Sequence, residues 1–210
     1  MKIWEATTGK LLLTLSKHDL PVSTVGYNLD GSRIVSAAGD GTVKVWDAAT
    51  GQELFSLLHR SSTGVSVPWG LAFSPDGRRF VTGSQAGTAK VWDLETGQEL
   101  FTLSGHSGTI YRVAYSPDGT QIATAAYDAT AKVWDAARGK LLLTLYGATK
   151  GLNGITFSLD GKRLITVSDD GNMRTYLLHL EDELALARSR LTRTWRLEEC
   201  QQYLHVAQCP

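Results

Sequence analysis

The chain has 210 residues, room for one large domain or two small ones, and its 21 Lys+Arg balance its 21 Asp+Glu to zero formal charge. That balance excludes the diffuse positive field that gathers nucleic acid or an anionic membrane surface. A content of 42% hydrophobic and 20% charged residues is that of a folded chain, not a disordered one. In chain order, Lys2–Trp4 reads as a short strand and Leu11–Leu15 as the strand after it. Apolar runs such as Leu11–Leu13 and Leu141–Leu143 fall far short of the roughly 20 residues of a spanning helix. The opening MKIWEATTGK lacks an apolar signal core, so a cytoplasmic protein is expected.

Beyond these first strands the sequence repeats. Trp4, Trp46, Trp92 and Trp134, with Tyr176 as a weaker fifth member, are 42, 46, 42 and 42 residues apart. Asp30-Gly31, Asp76-Gly77, Asp118-Gly119 and Asp160-Gly161 are 46, 42 and 42 apart, so both markers share one four-residue insertion. A period of this length is that of a four-stranded propeller blade. The third unit shows the pattern: strands at Ile110–Tyr115, Gln121–Ala125, Thr130–Trp134 and Lys140–Leu145, with tight turns at Ser116-Pro-Asp-Gly119 and Tyr127-Asp128. Each Asp-Gly separates two apolar runs, where a hairpin needs positive φ and Gly accepts it. Strands closing the repeats are expected at 2–4, 42–46, 88–92, 130–134 and 172–178.

Lys44-Val-Trp-Asp47, Lys90-Val-Trp-Asp93 and Lys132-Val-Trp-Asp135 resemble the Trp-Asp ending of WD repeats, and Gly105-His106 resembles their opening Gly-His. Ser74-Pro-Asp-Gly77 and Ser116-Pro-Asp-Gly119 are similar to the hairpin between the first two strands of that family. The resemblance covers residues 1–178. It implies an all-β propeller in which each repeat supplies the outer strand of one blade and the three inner strands of the next.

Two units carry Ser or Thr, His, Asp and Trp in matching places: His18, Ser36, Asp40 and Trp46, then His106, Thr124, Asp128 and Trp134. Ser/Thr, His and Asp together suggest a nucleophilic hydrolase. A catalytic constellation is built once per domain, however, whereas this set recurs, as a buried hydrogen-bond network would. The resemblance implies a structural tetrad of that kind. The second unit keeps Thr82 and Trp92 but has Ala86 in place of Asp, and its His59 stands 33 residues before Trp92 instead of 28, leaving its register open. The fourth keeps Thr166 and Asp170 but has Ala148 and Tyr176 for His and Trp.

The strand inventory gives about four blades. A four-bladed ring closed by Leu11–Leu15, an arc completed by a second copy through unpaired blade edges, and a piece of a longer propeller all fit it, and the start within a repeat favours the last. Composition changes after Leu180. Glu181–Leu191 has helical spacing, with acids first and Arg later, and a second short helix is expected from about Leu197 to Leu204, making 179–210 a helical tail. This tail resembles the one following the repeats of bacterial signalling proteins such as STAND-type NTPases and repeat-bearing kinases. Neither a phosphate loop nor a kinase motif is present, and Cys200, His205 and Cys209 lack the fourth ligand of a structural zinc site, so no cofactor or metal is expected. Arg188, Arg190, Arg193 and Arg196 are flanked by acids and read as a solvated helix face.

A non-catalytic interaction scaffold or sensor for proteins or peptides is therefore expected, with neither nucleic acid nor membrane as a partner; a hydrolase or small-ligand binder using the channel is the alternative. The resemblance implies docking on the narrow face. There the positions opening the first strands are Ser23/Thr24, Trp69/Gly70, Tyr111/Arg112 and Asn153/Gly154, and those before the second turn are Gly39, Gln85, Tyr127 and Asp169. Trp69, Tyr111, Arg112 and Tyr127, with Gln85 and Asp169, are the candidate contacts, since Trp, Tyr and Arg dominate binding hot spots.

Overall fold

The computed structural model describes residues 1–62 and 64–178. Contacts divide the chain into Met1–Tyr176 and Leu177–Pro210. The expected helices at 181–191 and 197–204, the Arg cluster and the Cys200–His205–Cys209 group all lie outside the described residues.

Among the described residues all helical and extended structure is strand. β1 (Lys2–Trp4) and β2 (Leu11–Thr14) form a two-stranded sheet. Three four-stranded antiparallel sheets follow: β3 (Val22–Tyr27) to β6 through β4 (Arg33–Ala38), β5 (Thr42–Asp47) and β6 (Glu53–Leu58); β9 (Pro68–Phe73), β10 (Arg79–Ser84), β11 (Thr88–Asp93) and β12 (Glu99–Ser104); and β13 (Ile110–Tyr115), β14 (Gln121–Ala126), β15 (Ala131–Asp135) and β16 (Leu141–Leu145). A small hairpin, β7 (Arg60–Ser61) and β8 (Gly64–Val65), precedes the second of these, and β17 (Leu152–Phe157), β18 (Arg163–Ser168) and β19 (Met173–Leu177) make a three-stranded sheet.

Each sheet meanders because its turns are written into the sequence. At Ser116-Pro-Asp-Gly119 the Asp118 carboxylate accepts the Ser116 hydroxyl at 2.6 Å and the Thr120 N–H at 3.0 Å. Gly119 takes φ +72°, where a side chain would be strained. The middle strands β4, β10 and β14 (RIVSAA, RFVTGS, QIATAA) are buried along nearly their whole length, since sheets cover both of their faces. The cores lie between consecutive sheets. Val35, Val43 and Val45 of the first meet Phe80 and Trp92 of the second, and Val81, Val91 and Leu103 of the second meet Ile110, Ile122 and Trp134 of the third. First strands touch in sequence order, β3 with β9, β9 with β13 and β13 with β17.

Of the three arrangements that fit the strand inventory, the four-bladed ring closed by Leu11–Leu15 is not formed among the described residues. Among the described residues β2 pairs with β1 alone, no ladder joins it to β19, and the sheets make an open row. The sequence of β2 suits either partner, since an outer strand needs only alternating apolar residues and a free edge; the β1–β2 hairpin is local and forms with less loop-closure entropy than a pairing about 160 residues away. On β3, away from β9, Val25 and Tyr27 remain exposed. The four-residue insertion is the β7–β8 hairpin. β15 begins at Ala131, one residue later than expected, because its ladder to β16 ends at Ala131 and Leu145, whereas Thr42 and Thr88 of the other units still pair with Leu58 and Ser104.

Candidate functional site

The two complete tetrads are sealed networks. Trp46 Nε1–H donates to Ser36 Oγ at 2.9 Å, the Ser36 hydroxyl lies 2.7 Å from His18 Nε2, and His18 Nδ1 lies 3.2 Å from Asp40. In the third sheet Trp134, Thr124, His106 and Asp128 repeat this at 2.9, 2.8 and 2.9 Å. With the proton on Nδ1, every donor meets an acceptor, from indole to hydroxyl to imidazole to carboxylate. Burial pushes the Asp40 carboxyl up, but the Thr42 hydroxyl and N–H, the Asp19 N–H and His18 outweigh it and hold it at about 2. Asp128 is likewise lowered against its burial, by Thr130, the Ser107 N–H and His106. Ser36 and Thr124 are wholly buried, and each hydroxyl is shared by Trp and His. The Ser/His/Asp set therefore offers no hydroxyl open to a substrate.

The incomplete units show what replaces a missing member. His59 does occupy the histidine place: its ring stands 6.3 Å from Trp92, edge to face, as His18 stands 6.3 Å from Trp46. It follows β6 directly, without the Gly105 that precedes His106, and the inserted hairpin comes after it, which is why spacing alone left its register open. Without an aspartate, Ser66 Oγ accepts the Ala86 N–H at 2.9 Å. His59 Nε2 lies 3.3 Å from the Thr82 carbonyl, and its buried Nδ1 has no partner among the described residues. In the last sheet Arg174 stands where the others have Lys44, Lys90 and Lys132. Those lysines reach outward to Ser56, Thr102 and Thr144 on the fourth strand. Arg174 turns inward and grips Asp170 at 2.8 and 3.1 Å, doing the histidine's work. The Arg174 guanidinium and the Thr149 N–H hold Asp170 well below the usual carboxylate range.

One end of the sheets carries a different constellation. Ser23, Trp69, Tyr111 and Asn153 are each the extra residue of a bulge in the first strand, skipped in pairing between Val22 and Thr24, Pro68 and Gly70, Ile110 and Arg112, Leu152 and Gly154. A bulge re-aims a side chain out of strict alternation. Trp69 and Tyr111 thereby meet edge to face at 6.1 Å, and Tyr111 meets Tyr127 at 6.2 Å. Trp69 is 38% and Tyr127 61% exposed, so the rings form a ladder at the surface across two sheets. The Tyr127 ring lies over Gly151, where an added methyl carbon would stand 2.6 Å from it. Thr109 ties the ladder together, its hydroxyl donating to the Gln85 carbonyl at 3.3 Å and its carbonyl accepting the Tyr127 N–H at 2.8 Å. Asp169 donates its N–H to Gly151 and accepts Asn153 Nδ2 at 2.6 Å. Arg112 follows Tyr111 and is exposed, one guanidinium N–H donating to the Tyr111 carbonyl. The structure thus brings Trp69, Tyr111 and Tyr127 into ring contact, with Gln85 and Asp169 at the rim. Asn153 was not among the expected contacts, and only the bulge register reveals it.

Repeats of the kind described as WD domain, G-beta repeat match residues 9–47, 51–93, 97–135 and 139–176, well over half of the chain. The chain belongs to this WD-repeat family. It is 40% identical over 76 residues to human WD repeat and SOCS box-containing protein 1, covering 36% of this chain and 17% of that protein. It is 44% identical over 66 residues to small ribosomal subunit protein RACK1z of Arabidopsis thaliana, covering 31% and 19%. Periodic tryptophan protein 2 homolog of Schizosaccharomyces pombe is 44% identical over 45 residues, covering 21% and 5%. The chain thus spans less than a fifth of each of these relatives.

Proposed function

We propose that this WD-repeat chain is a non-catalytic propeller module that binds proteins or peptides through the Trp69–Tyr111–Tyr127 ladder. The ladder is the observation that carries the reading: bulges lift the rings out of the packed sheets, and two remain exposed. Rigid aromatics with polar handles bury much area at little entropic cost. The sealed tetrads argue against the hydrolase alternative, since nucleophile and base already serve the fold. The similarity to repeats of a SOCS box protein and of RACK1z supports a scaffold role, and the likeness of the 179–210 tail to those of bacterial signalling proteins supports a signalling setting.

Selection from an unbiased peptide-display library tests the reading. Peptides should be enriched whose binding falls at least tenfold in both Tyr127→Ala and Trp69→Ala, while Leu54→Ala, on the exposed outer strand β6, leaves it unchanged. Enriched peptides indifferent to both ladder variants would refute it.

A further inference from the structure

We infer that the ladder takes an extended, acidic peptide with apolar side chains at alternate positions. This rests on the proposed interaction site and gives its occupant a chemistry.

The spacing argues for an extended chain. Successive rings are 6.1 and 6.2 Å apart, and side chains i and i+2 of an extended strand lie roughly 6.6 Å apart. Alternate apolar side chains therefore match the spacing of successive rings without distorting the chain. A helix would offer neighbours at i+3 and i+4 about 5–6 Å apart, but on a curved face that turns away from a straight row of rings.

The charges argue for an acidic one. Asp40, Asp128 and Asp170 belong to this end of the sheets, but each is consumed within the fold by His18, His106 or Arg174. Asp169 is engaged by Asn153. Three exposed cations stand in segments leading into the ladder: Arg60 in the hairpin before β9, Arg112 beside Tyr111, and Lys150 next to the Gly151 over which Tyr127 lies. Among the described residues none of the three has a carboxylate within ion-pair distance, while Arg33, Lys44 and Lys90 of the sheets all do. Three cations without a carboxylate partner among the described residues thus stand in the segments that lead into the aromatic ridge. Carboxylates flanking the two apolar side chains would find them.

The experiment is fluorescence anisotropy of a labelled seven-residue peptide, Glu-Glu-Leu-Ser-Leu-Glu-Glu, against two controls: Lys replacing every Glu, and both Leu moved to adjacent positions. The acidic alternate peptide should bind at least tenfold tighter than either control at low salt. Its advantage over the Lys peptide should shrink as salt screens the rim and reverse in Arg112→Glu, which exposes no core. Equal binding of acidic and basic peptides, tighter binding of the basic one, or no binding of the acidic peptide overturns the inference. If the library selection still yields ladder-dependent peptides, the interaction site stands and only its assigned chemistry falls. If that selection also fails, the site itself is wrong.

Discussion

The β13–β16 and β9–β12 sheets are built to one plan and finished differently. The third unit holds its histidine from both sides, Thr124 on one ring nitrogen and Asp128 on the other. In the second, Thr82 keeps its bond to the Trp92 indole at 2.9 Å, yet among the described residues His59 reaches only a backbone carbonyl and leaves Nδ1 unpartnered. Both hold the same core between the same strands. Apolar packing between sheets thus sets the architecture, while the polar network is a local fastening that one unit can partly lose. Buried polar groups left without partners still cost stability, so the difference is measurable.

The largest expected contrast is with pH. Burial lowers His59 to about 4, the Thr82 carbonyl only partly opposing it. An unfolded histidine titrates near 6.5, so between these values the unfolded state binds the extra proton. Stability from this group is present above about 6.5 and is lost as pH falls toward 4, on the order of 3 kcal/mol at most. Burial lowers His106 too, but Asp128 opposes it. Chemical denaturation across this window should show a slope that His59→Gln flattens more than His106→Gln does. The reverse order would mean that the fastened histidine is the more proton-averse of the two, and the comparison would break.

Next in size is the loss of one hydroxyl. Thr124→Val leaves both the Trp134 N–H and His106 Nε2 without partners, whereas Thr82→Val strands the Trp92 N–H alone. At about 1–3 kcal/mol per stranded group, the first should cost roughly twice the second, about 3 against about 1.5 kcal/mol, read from denaturant midpoints at unchanged m. Equal losses would show that His106 takes nothing from Thr124.

A smaller effect runs the other way. Ala86→Asp restores the carboxylate that the second unit lacks, within the turn already tied to Ser66. A charge-assisted bond to His59 Nδ1 should add about 1 kcal/mol at neutral pH and, by favouring the protonated ring, reduce the pH slope. A variant with the parent's midpoint and slope would mean that the inserted hairpin keeps a carboxylate from reaching the ring.

Much of this was legible in the residues. Trp and Asp-Gly spacing places the strands, because turns need particular backbone angles and those angles select particular residues. The intact tetrads could be read for the same reason. The replacement partners could not: Ser66 and Arg174 reach their sites through the path of a hairpin and the turn of a long side chain, neither of which follows from spacing. Likewise Trp69, Tyr111 and Tyr127 could be named as candidates by alignment, but their mutual contact depends on bulges whose register only the paired strands define. Closure of the row was the least legible feature, since the apolar pattern of Leu11–Leu15 suits more than one neighbouring strand.

The smallest prediction concerns a turn that the more complete unit bears at a cost. Gly41, Gly87 and Gly171 follow the second-turn position of their units at φ +78°, +74° and +82°, and the third unit has Ala129 there at +64°. An L-residue in this region costs about 1–2 kcal/mol, while glycine loses more chain entropy on folding, about 0.5–1 kcal/mol. Ala129→Gly should therefore gain about 0.5 kcal/mol, visible as a small rise in thermal midpoint. Tyr127 stands two residues earlier in the same turn, so peptide binding measured alongside separates two roles for the strain. A gain in stability with unchanged affinity makes Ala129 a tolerated local defect. A gain in stability with weakened affinity makes the strained turn part of how the ladder presents its outermost ring, and the third unit would then be the one whose fastening and strain both serve the exposed face.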